Sequence, residues 1–238
     1  MLNLVFLLDV DNTLLDNDCF STDLDAHLRA SFGEPERLRY REIYQRLRDR
    51  LGYADYLGAL QEFRENVGED AQDGLLRTSE FLLDYPFVDR VYPHVREVIE
   101  HLDKFGTTAI LSDGDIVFQP HKIRCSGLLD RVQGRVMVTV HKEQCLDVLQ
   151  RRWPSEHYVL VDDKPSLLSA MKEKLGNKAT TVFVQQGHYA DEADLANLSG
   201  IDISIASITE LAQMPCSRFL PRSSSAAASR APIPMEAS

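Results

Sequence analysis

The sequence predicts an α/β fold, a doubly wound, Rossmann-like parallel sheet core with an inserted helical segment. Continuous apolar runs are typical of strands buried on both faces of such a sheet. They occur at Leu4–Leu8, Thr107–Leu111, Tyr158–Val161 and Thr180–Val184, with Gln133–Val140 as a further candidate. Helical patterns lie between the later runs, as expected of right-handed β–α–β units. After the first run, helical patterns continue over residues 16–89 without a convincing strand.

The first apolar run, Leu4–Leu8, ends at Asp9. It is too short to span a membrane, and it has neither a basic flank nor a small-residue cleavage site. We therefore predict a buried strand and not a signal peptide, and we expect no membrane partner.

The inserted segment contains the helical patterns Pro35–Leu51 and Tyr53–Val67, which are rich in Arg, Glu and Leu. Because residues 16–89 are too many for a simple crossover, we interpret them as an inserted helical subdomain. The α/β core then comprises residues 1–15 and 90–212. Residues 213–238 are predicted to be a disordered C-terminal tail, because their last part is Ser, Ala and Pro with little to bury.

Three helices are expected in the second part of the core. Pro93–Phe105 has a proline in a plausible first turn, apolar residues on one face and Gly106 as a stop. Glu143–Arg152 and Pro165–Leu175 show similar patterns. Each lies between two predicted strands, which supports the parallel sheet.

Composition narrows the class of protein. Of the 238 residues 44% are hydrophobic, which is enough for a sizeable core. The formal net charge of −11 argues against a nucleic-acid partner, because sequence-independent binders need a basic surface for phosphates. The four cysteines lie far apart with no CxxC pair, so neither a zinc site nor a disulfide framework is predicted. Free thiols are typical of a reducing compartment, and we expect a cytoplasmic protein.

The strongest signal for chemistry is Asp9-Val10-Asp11, at the end of the first predicted strand. Open α/β sheets bind ligands at the carboxyl ends of their strands, and residues i and i+2 of an extended segment share a face. Two carboxylates this close raise one another's pKa values, which suits a nucleophile beside an acid/base. An Asp cluster that only caps a following helix is the alternative.

A second acidic pair, Asp162-Asp163, directly follows the predicted strand Tyr158–Val161. Two acidic clusters at two strand ends can converge and hold a hard cation through oxygen ligands. The alternative is that Asp163 caps the helix beginning at Pro165, and it is placed to do both.

Two further strand ends carry polar residues, Ser112 and Lys142. The Ser112 hydroxyl precedes a Gly-containing loop and can donate a hydrogen bond to a phosphoryl oxygen, although Ser-Asp-Gly is also ordinary turn chemistry. The Lys142 ammonium can neutralise phosphate charge or carboxylate repulsion, although an exposed lysine is the ordinary alternative.

Together these residues resemble the haloacid dehalogenase (HAD)-like hydrolase superfamily over roughly residues 4–185. Asn12 stands where many members carry Gly. The helical insert, residues 16–89, is similar to the superfamily's helical cap of the first type. The four motifs of the superfamily are matched in order by Asp9, Asp11 and Thr13, by Ser112, by Lys142, and by Asp162 and Asp163.

The resemblance implies a phosphatase that hydrolyses the phosphomonoester of a small phosphorylated metabolite with Mg²⁺ as cofactor. Asp9 would attack phosphorus and form an aspartyl-phosphate, and Asp11 would protonate the leaving oxygen and then activate water. The resemblance also implies Mg²⁺ ligands and phosphate-binding residues. The ligands are Asp9, the backbone carbonyl of Asp11, and Asp162 or Asp163; the phosphate contacts are Thr13, Ser112 and Lys142.

Asp11 favours a phosphatase over a dehalogenase, because a leaving alkoxide needs a proton and a leaving halide does not. The name-giving dehalogenases usually carry Tyr at this position. Residues 14–90 contain no lysine, so the phosphonate-hydrolysing branch, which uses a lysine there, is disfavoured. A phosphotransferase or sugar-phosphate mutase that shares the aspartyl-phosphate stays open, and a haloacid dehalogenase is the less favoured alternative.

Other cations and a histidine lie near these motifs. Lys122 is a rival to Lys142, but it is too near Ser112 and no strand separates the two. His188, after the last predicted strand, is interpreted as an ordinary loop histidine. The arginines of the insert alternate with acids, so we favour solvated helix faces, with an anionic substrate group as the alternative for one of them; they include Arg29, Arg39, Arg46, Arg48 and Arg64.

Overall fold

The computed structural model describes residues 3–192 and 199–220. Its strands form one sheet in the order β3-β2-β1-β4-β5-β6, and every neighbouring pair is parallel. This order and the flanking helices confirm the predicted doubly wound α/β class. The strands are β1 (Leu4–Leu8), β2 (Gly106–Asp113), β3 (Val136–Thr139), β4 (His157–Asp162), β5 (Ala179–Val184) and β6 (Ile203–Ile205).

Strand β1 lies at the centre of the sheet, and all five of its residues are buried. Leu4, Phe6 and Leu8 pack into the larger apolar cluster on one face of the sheet. Val5 and Leu7 pack into a second cluster on the other face. Because successive side chains point to opposite faces, a strand covered on both sides needs a continuous apolar run.

The helical insert contains α1 (Asn17–Phe32), α2 (Glu34–Leu51), α3 (Tyr56–Arg64) and α4 (Gln72–Asp84). The Asp16 side chain accepts a hydrogen bond from Cys19 N at 2.8 Å and caps the start of α1. Helix α2 ends at Gly52, whose φ of 80° is the left-handed conformation that favours glycine.

The two chain segments that join the insert to the core run side by side. Asp16 N donates to Arg90 O at 2.8 Å, and Tyr92 N donates to Leu14 O at 3.0 Å. Apolar side chains of the insert and of one face of the sheet belong to a single buried cluster. The insert therefore packs directly over the carboxyl edge of the sheet.

The core helices are α5 (Val95–Leu102), α6 (Phe118–Cys125), α7 (Leu128–Arg131), α8 (Leu146–Arg152), α9 (Pro165–Leu175) and α10 (His188–Glu192). Two predicted helices begin later than expected. Pro93 does not open α5, because His94 has a left-handed φ of 61° and the helix starts at Val95. The pattern at Glu143–Arg152 divides into a 3₁₀ turn, Lys142–Gln144, and α8.

The predicted disordered tail begins too early. Phe219 is fully buried, and its ring meets that of Phe6 edge-on with centroids 5.2 Å apart. Thr180 Oγ1 also donates to Phe219 O at 2.9 Å. The packed core therefore extends past residue 212 to residue 220, whereas residues 221–238 lie outside the described part of the chain. No helix in the described ranges is long and apolar enough to cross a membrane.

Candidate active site

Three of the predicted site segments, at the ends of β1, β2 and β4, meet at the carboxyl edge of the sheet. Leu8 of β1 is paired with Ile110 of β2 and with Val161 of β4. Asp9 and Asp162 are the residues that follow Leu8 and Val161, and Asp9 N donates to Val161 O at 2.9 Å. The strand order reverses beside β1, so these residues occupy the position where doubly wound sheets bind their ligands.

Asp9 lies beneath the surface, with 4% of its area exposed. Its Oδ1 accepts a hydrogen bond from Lys142 Nζ and lies 3.5 Å from Ser112 Oγ. Its Oδ2 is buried and has no hydrogen-bond partner among the described residues. Burial raises the pKa of Asp9 to about 6, although Lys142 acts in the opposite direction. One oxygen is therefore anchored, and the other is free to meet a ligand.

Lys142 connects the acidic residue at the end of β1, Asp9, with the acidic pair that follows β4, Asp162-Asp163. Its Nζ contacts Asp9 and also donates to Asp162 Oδ2 at 2.8 Å. Burial would lower the pKa of Lys142, but the Asp162 and Asp9 carboxylates outweigh burial and raise it. Lys142 N donates to Asp113 Oδ1 at 3.0 Å, which fixes the start of the 3₁₀ turn. Lys142 is therefore a buried ammonium in contact with both Asp9 and Asp162.

The carboxylates of Asp9, Asp162 and Asp163 have oxygens within 4.8 Å of one another, and all three residues are buried. Both Asp162 oxygens are in use, since Oδ2 accepts from Lys142 and Oδ1 accepts from Lys164 N at 2.9 Å. Both Asp163 oxygens lack a partner in the described chain, and burial raises the Asp163 pKa well above its usual value. Partnerless carboxylate oxygens are the ligands that Mg²⁺ prefers, so these residues fit the implied cation.

Asp11 has a separate set of partners, both on α6. Its Oδ1 accepts from Lys122 Nζ at 2.7 Å, and its Oδ2 lies 3.3 Å from Gln119 Nε2. Lys122, which its nearness to Ser112 disfavoured as an alternative to Lys142, nevertheless lies in the site as the partner of Asp11. The available signal was a polar pair, Gln119 and Lys122, one helical turn apart beside buried Phe118.

The two predicted phosphate-binding hydroxyls belong to Ser112, near the end of β2, and to Thr13, in the turn after β1. Ser112 Oγ accepts a hydrogen bond from Gln119 Nε2 at 2.9 Å. Thr13 is fully buried in the turn after β1, and its Oγ1 has no partner among the described residues. Both hydroxyls have unused hydrogen-bonding capacity, so their roles on a phosphoryl group stay predictions.

Asn12 has a left-handed φ of 58°, a conformation that Gly and Asn tolerate best. Its Oδ1 accepts from Asn17 N at 3.0 Å and from Asp18 N at 3.2 Å, so the amide caps α1. Asp18 Oδ2 also accepts from His188 N at 2.8 Å. The His188 ring also contacts this residue, because its Nδ1 lies 2.8 Å from Asp18 Oδ1. The side chain therefore ties the start of α10 to the insert, and His188 is not an ordinary loop histidine.

A cavity of about 500 Å³ lies between the insert and this edge of the sheet. Its lining includes Asp11 and Asp163 from the core and Arg48 from α2. Arg48 donates to the Tyr189 hydroxyl, which carries no charge to neutralise it. Three other arginines of the insert form ion pairs with acids on the same subdomain, Arg29 with Glu34, Arg39 with Glu36 and Arg46 with Glu62.

The family follows from comparison with known proteins. A family model described as haloacid dehalogenase-like hydrolase matches residues 4–185, which is most of the chain. The chain therefore belongs to the haloacid dehalogenase-like hydrolases, as its four motifs predicted. No curated protein sequence matches it.

Solved structures agree with this assignment. A protein from Burkholderia xenovorans described as a haloacid dehalogenase-like hydrolase is 49% identical, covers 90% of this chain and 100% of its own, and has a TM-score of 0.84. An L-2-haloacid dehalogenase from Xanthobacter autotrophicus is 16% identical, with coverage of 89% and 97% and a TM-score of 0.57. A Thermotoga maritima protein described as a β-phosphoglucomutase is 18% identical, with coverage of 88% and 96% and a TM-score of 0.55. The last two share the fold alone.

Proposed function

We propose that the chain is a Mg²⁺-dependent phosphomonoester hydrolase that acts on a small phosphorylated metabolite through an aspartyl-phosphate on Asp9. The observation that carries this proposal is the pairing of a nucleophile with an acid/base. Asp9 has a free, buried Oδ2, and Asp11 stands two residues away at the cavity. A phosphate ester needs both groups, because its alkoxide leaves only when it is protonated.

In the first half of the proposed reaction, an oxygen of Asp9 attacks phosphorus and the bond from phosphorus to the ester oxygen breaks. The proton of the Asp11 carboxyl group passes to that leaving oxygen, so the alcohol departs neutral. Lys142 and the Ser112 hydroxyl, both beside Asp9 Oδ1, bind the phosphoryl oxygens. The alcohol leaves, and phosphate stays bound to Asp9.

In the second half, Asp11 takes a proton from a water molecule, whose oxygen attacks phosphorus. The bond between phosphorus and Asp9 breaks, which returns Asp9 as a carboxylate, releases inorganic phosphate and leaves Asp11 protonated again. The insert covers the cavity and limits the access of other water.

The Mg²⁺ ion would be held by Asp9 and Asp163, with the backbone carbonyl of Asp11 as a further ligand, and it would neutralise charge on the phosphoryl oxygens. Asp163 is the better direct ligand of the acidic pair, because its oxygens are unpartnered while those of Asp162 bind Lys142 and Lys164 N. Asp162 then acts by holding Lys142 in place.

Binding of Mg²⁺ should stabilise the protein more at about pH 7.5 than at about pH 5. The raised pKa of Asp9, about 6, means that the folded protein favours the protonated carboxyl group. Without metal, the stability that this group contributes is present below its ordinary pKa and is lost as pH rises through about 6. Mg²⁺ binds the ionised form, so at about 100 times its Kd it should raise Tm by about 5–10 °C at the higher pH.

Differential scanning fluorimetry at both pH values measures this shift. Asp163→Asn should remove most of the Mg²⁺-dependent rise in Tm. The control Asp202→Asn should retain this rise, because Asp202 is paired with Lys172 and lies outside the acidic cluster of Asp9, Asp162 and Asp163. An equal Mg²⁺ shift at both pH values, or a full shift in Asp163→Asn, would contradict the proposed ligand set.

The second anionic group of a substrate is the proposed partner of Arg48. Its guanidinium lines the cavity, and Tyr189, its hydrogen-bond partner, is uncharged. We expect Arg48→Met to raise KM by about 10-fold for phosphomonoesters that also carry a carboxylate or second phosphate, and to leave KM for p-nitrophenyl phosphate unchanged. Equal effects on both substrate types would mean that Arg48 only ties the insert to Tyr189.

The proposed function is tested by incubating the purified protein with p-nitrophenyl phosphate and a panel of phosphorylated metabolites, with Mg²⁺ and with EDTA. Release of inorganic phosphate that needs Mg²⁺ is the expected result. Phosphoryl transfer to an added sugar phosphate that outruns hydrolysis would favour a mutase. Release of chloride from 2-chloropropionate without phosphate release would favour a dehalogenase.

A further inference from the structure

Lys122 is a fully buried lysine that none of the four family motifs includes. It extends from α6 towards the carboxyl edge of the sheet. Its Nζ donates to Asp11 Oδ1 at 2.7 Å and to Asn17 Oδ1 at 3.0 Å. The ammonium is therefore held between a residue of the proposed reaction and the first residue of α1.

Four aromatic rings surround this ammonium. Their centroids lie 5.9–6.0 Å from Nζ, within the range of cation–π attraction. The rings come from four separate parts of the chain, three in the insert and one in the core: Phe20, Tyr56, Phe87 and Phe118. The rings enclose the Lys122 ammonium on the sides that Asp11 and Asn17 do not contact.

Stability alone does not account for a charge in this position. Desolvation of a buried ion pair commonly offsets its attraction, and an apolar residue of similar volume is often as stable or more stable. A methionine would fill the same aromatic cage. The retained charge therefore points to a role for the contact with Asp11 itself.

The geometry around Asp11 defines that role. Lys122 contacts Oδ1 and Gln119 lies beside Oδ2, so one face of α6 holds both carboxylate oxygens. About a quarter of the Asp11 side chain stays exposed, at 23%, on the cavity side. The carboxyl group is thus fixed in orientation but open to a ligand.

We propose that Lys122 is a positioning residue that orients the Asp11 carboxyl group for proton transfer with the leaving oxygen of the substrate. This proposal rests on the proposed phosphomonoester hydrolysis. The two lysines then have separate roles, because Lys142 contacts the nucleophile Asp9 and Lys122 contacts the acid/base Asp11. No bond to Lys122 forms or breaks in the reaction.

The kinetic signature is a dependence on the leaving group. p-Nitrophenolate leaves without a proton, whereas an alkyl oxygen needs one, so misplacing Asp11 should penalise alkyl phosphates selectively. Because hydrolysis of the aspartyl-phosphate is common to all substrates, the comparison uses kcat/KM, which covers only the steps up to phosphorylation of Asp9. We expect Lys122→Met to lower kcat/KM by about 10- to 100-fold for an alkyl phosphate such as glycerol 2-phosphate. The loss of kcat/KM with p-nitrophenyl phosphate should be several-fold smaller, because its phosphorylation step needs no proton from Asp11.

The test compares Lys122→Met with wild type and with Lys172→Met, a lysine paired with Asp202 and outside the acidic cluster. In an Asp11→Asn background, Lys122→Met should add little further loss, because both changes remove one function. An equal loss of kcat/KM for both leaving groups, an additive loss in the Asp11→Asn background, or a wild-type kcat/KM for the alkyl phosphate would overturn the proposal. Lys122→Gln serves as a second variant, and unfolding of both variants would show a structural role instead.

A crystal structure of Lys122→Met separates this proposal from the proposed function. The expected result is an Asp11 carboxyl group rotated from its wild-type position, with Asp9 and Lys142 unmoved. If wild type releases no phosphate, the proposed function fails, while the position of Asp11 still decides whether Lys122 orients it. An unmoved Asp11 would overturn the positioning role even in an active enzyme.

Discussion

Asp9→Asn should lower kcat for phosphate release on the order of 10⁴-fold while the protein stays folded. An amide has the shape of the carboxylate but is not a nucleophile, so the aspartyl-phosphate cannot form. Asp9 lies in a site where burial raises its pKa, so removing its charge should change the free energy of unfolding by only about 1 kcal/mol. Steady-state phosphate release and urea unfolding measure the two quantities.

The matched control is Asp202→Asn, the same change at an aspartate remote from the acidic cluster. It should keep wild-type kcat. Turnover of Asp9→Asn within about 10-fold of wild type would exclude Asp9 as the nucleophile.

Lys142→Met should destabilise the metal-free protein by about 3–5 kcal/mol at neutral pH. The substitution leaves Asp9 and Asp162 buried side by side without the ammonium that both contact. Mg²⁺ should restore part of the loss, because a cation at the same cluster supplies the missing positive charge. Activity should fall as well, since the phosphoryl group loses a cation.

Urea unfolding with EDTA and with Mg²⁺ checks this prediction. Lys172→Met breaks a partly exposed ion pair with Asp202 and should lower the free energy of unfolding by only about 0–1 kcal/mol. This loss should be the same with EDTA and with Mg²⁺. A loss below about 1 kcal/mol in Lys142→Met would mean that Lys142 does not neutralise the buried acids.

Much of the fold and the motif residues could be predicted because their causes are local. The β1 residues must be apolar on both faces, and that requirement is visible as an unbroken run at Leu4–Leu8. The chemistry of Asp9 and Asp162 is visible because ligands of such sheets bind where the strands end. The structure then brings these residues together through strand register, which the runs alone do not specify.

Other features depend on contacts between distant segments. Lys122 is in the site because four rings from separate segments enclose its ammonium beside Asp11. These segments are far apart in the sequence, so no local sequence pattern predicts that they meet. Phe219 is a single aromatic residue in a polar stretch, so it shows no periodicity, yet it packs on Phe6. Strand β6 has only three residues, which is too short a run to show a strand pattern in the sequence, and it is stabilised by pairing with β5.

The choice between Asp162 and Asp163 also required side-chain positions. Both follow β4, and their order in the sequence does not say which one binds a cation. The structure separates them by their partners, because Asp162 is occupied by Lys142 and Lys164 N while Asp163 has none among the described residues.

Phosphorylation of Asp9 can be detected by trapping the intermediate. In Asp11→Asn, p-nitrophenyl phosphate still phosphorylates Asp9 because its leaving group needs no proton, whereas hydrolysis of the aspartyl-phosphate lacks its base. Borohydride added during turnover reduces an acyl phosphate to an alcohol, and peptide mass spectrometry identifies the position. We predict reduction at Asp9 that requires both substrate and Mg²⁺. Phosphate release with Asp9 unmodified, or reduction at another carboxylate, would exclude Asp9 as the nucleophile.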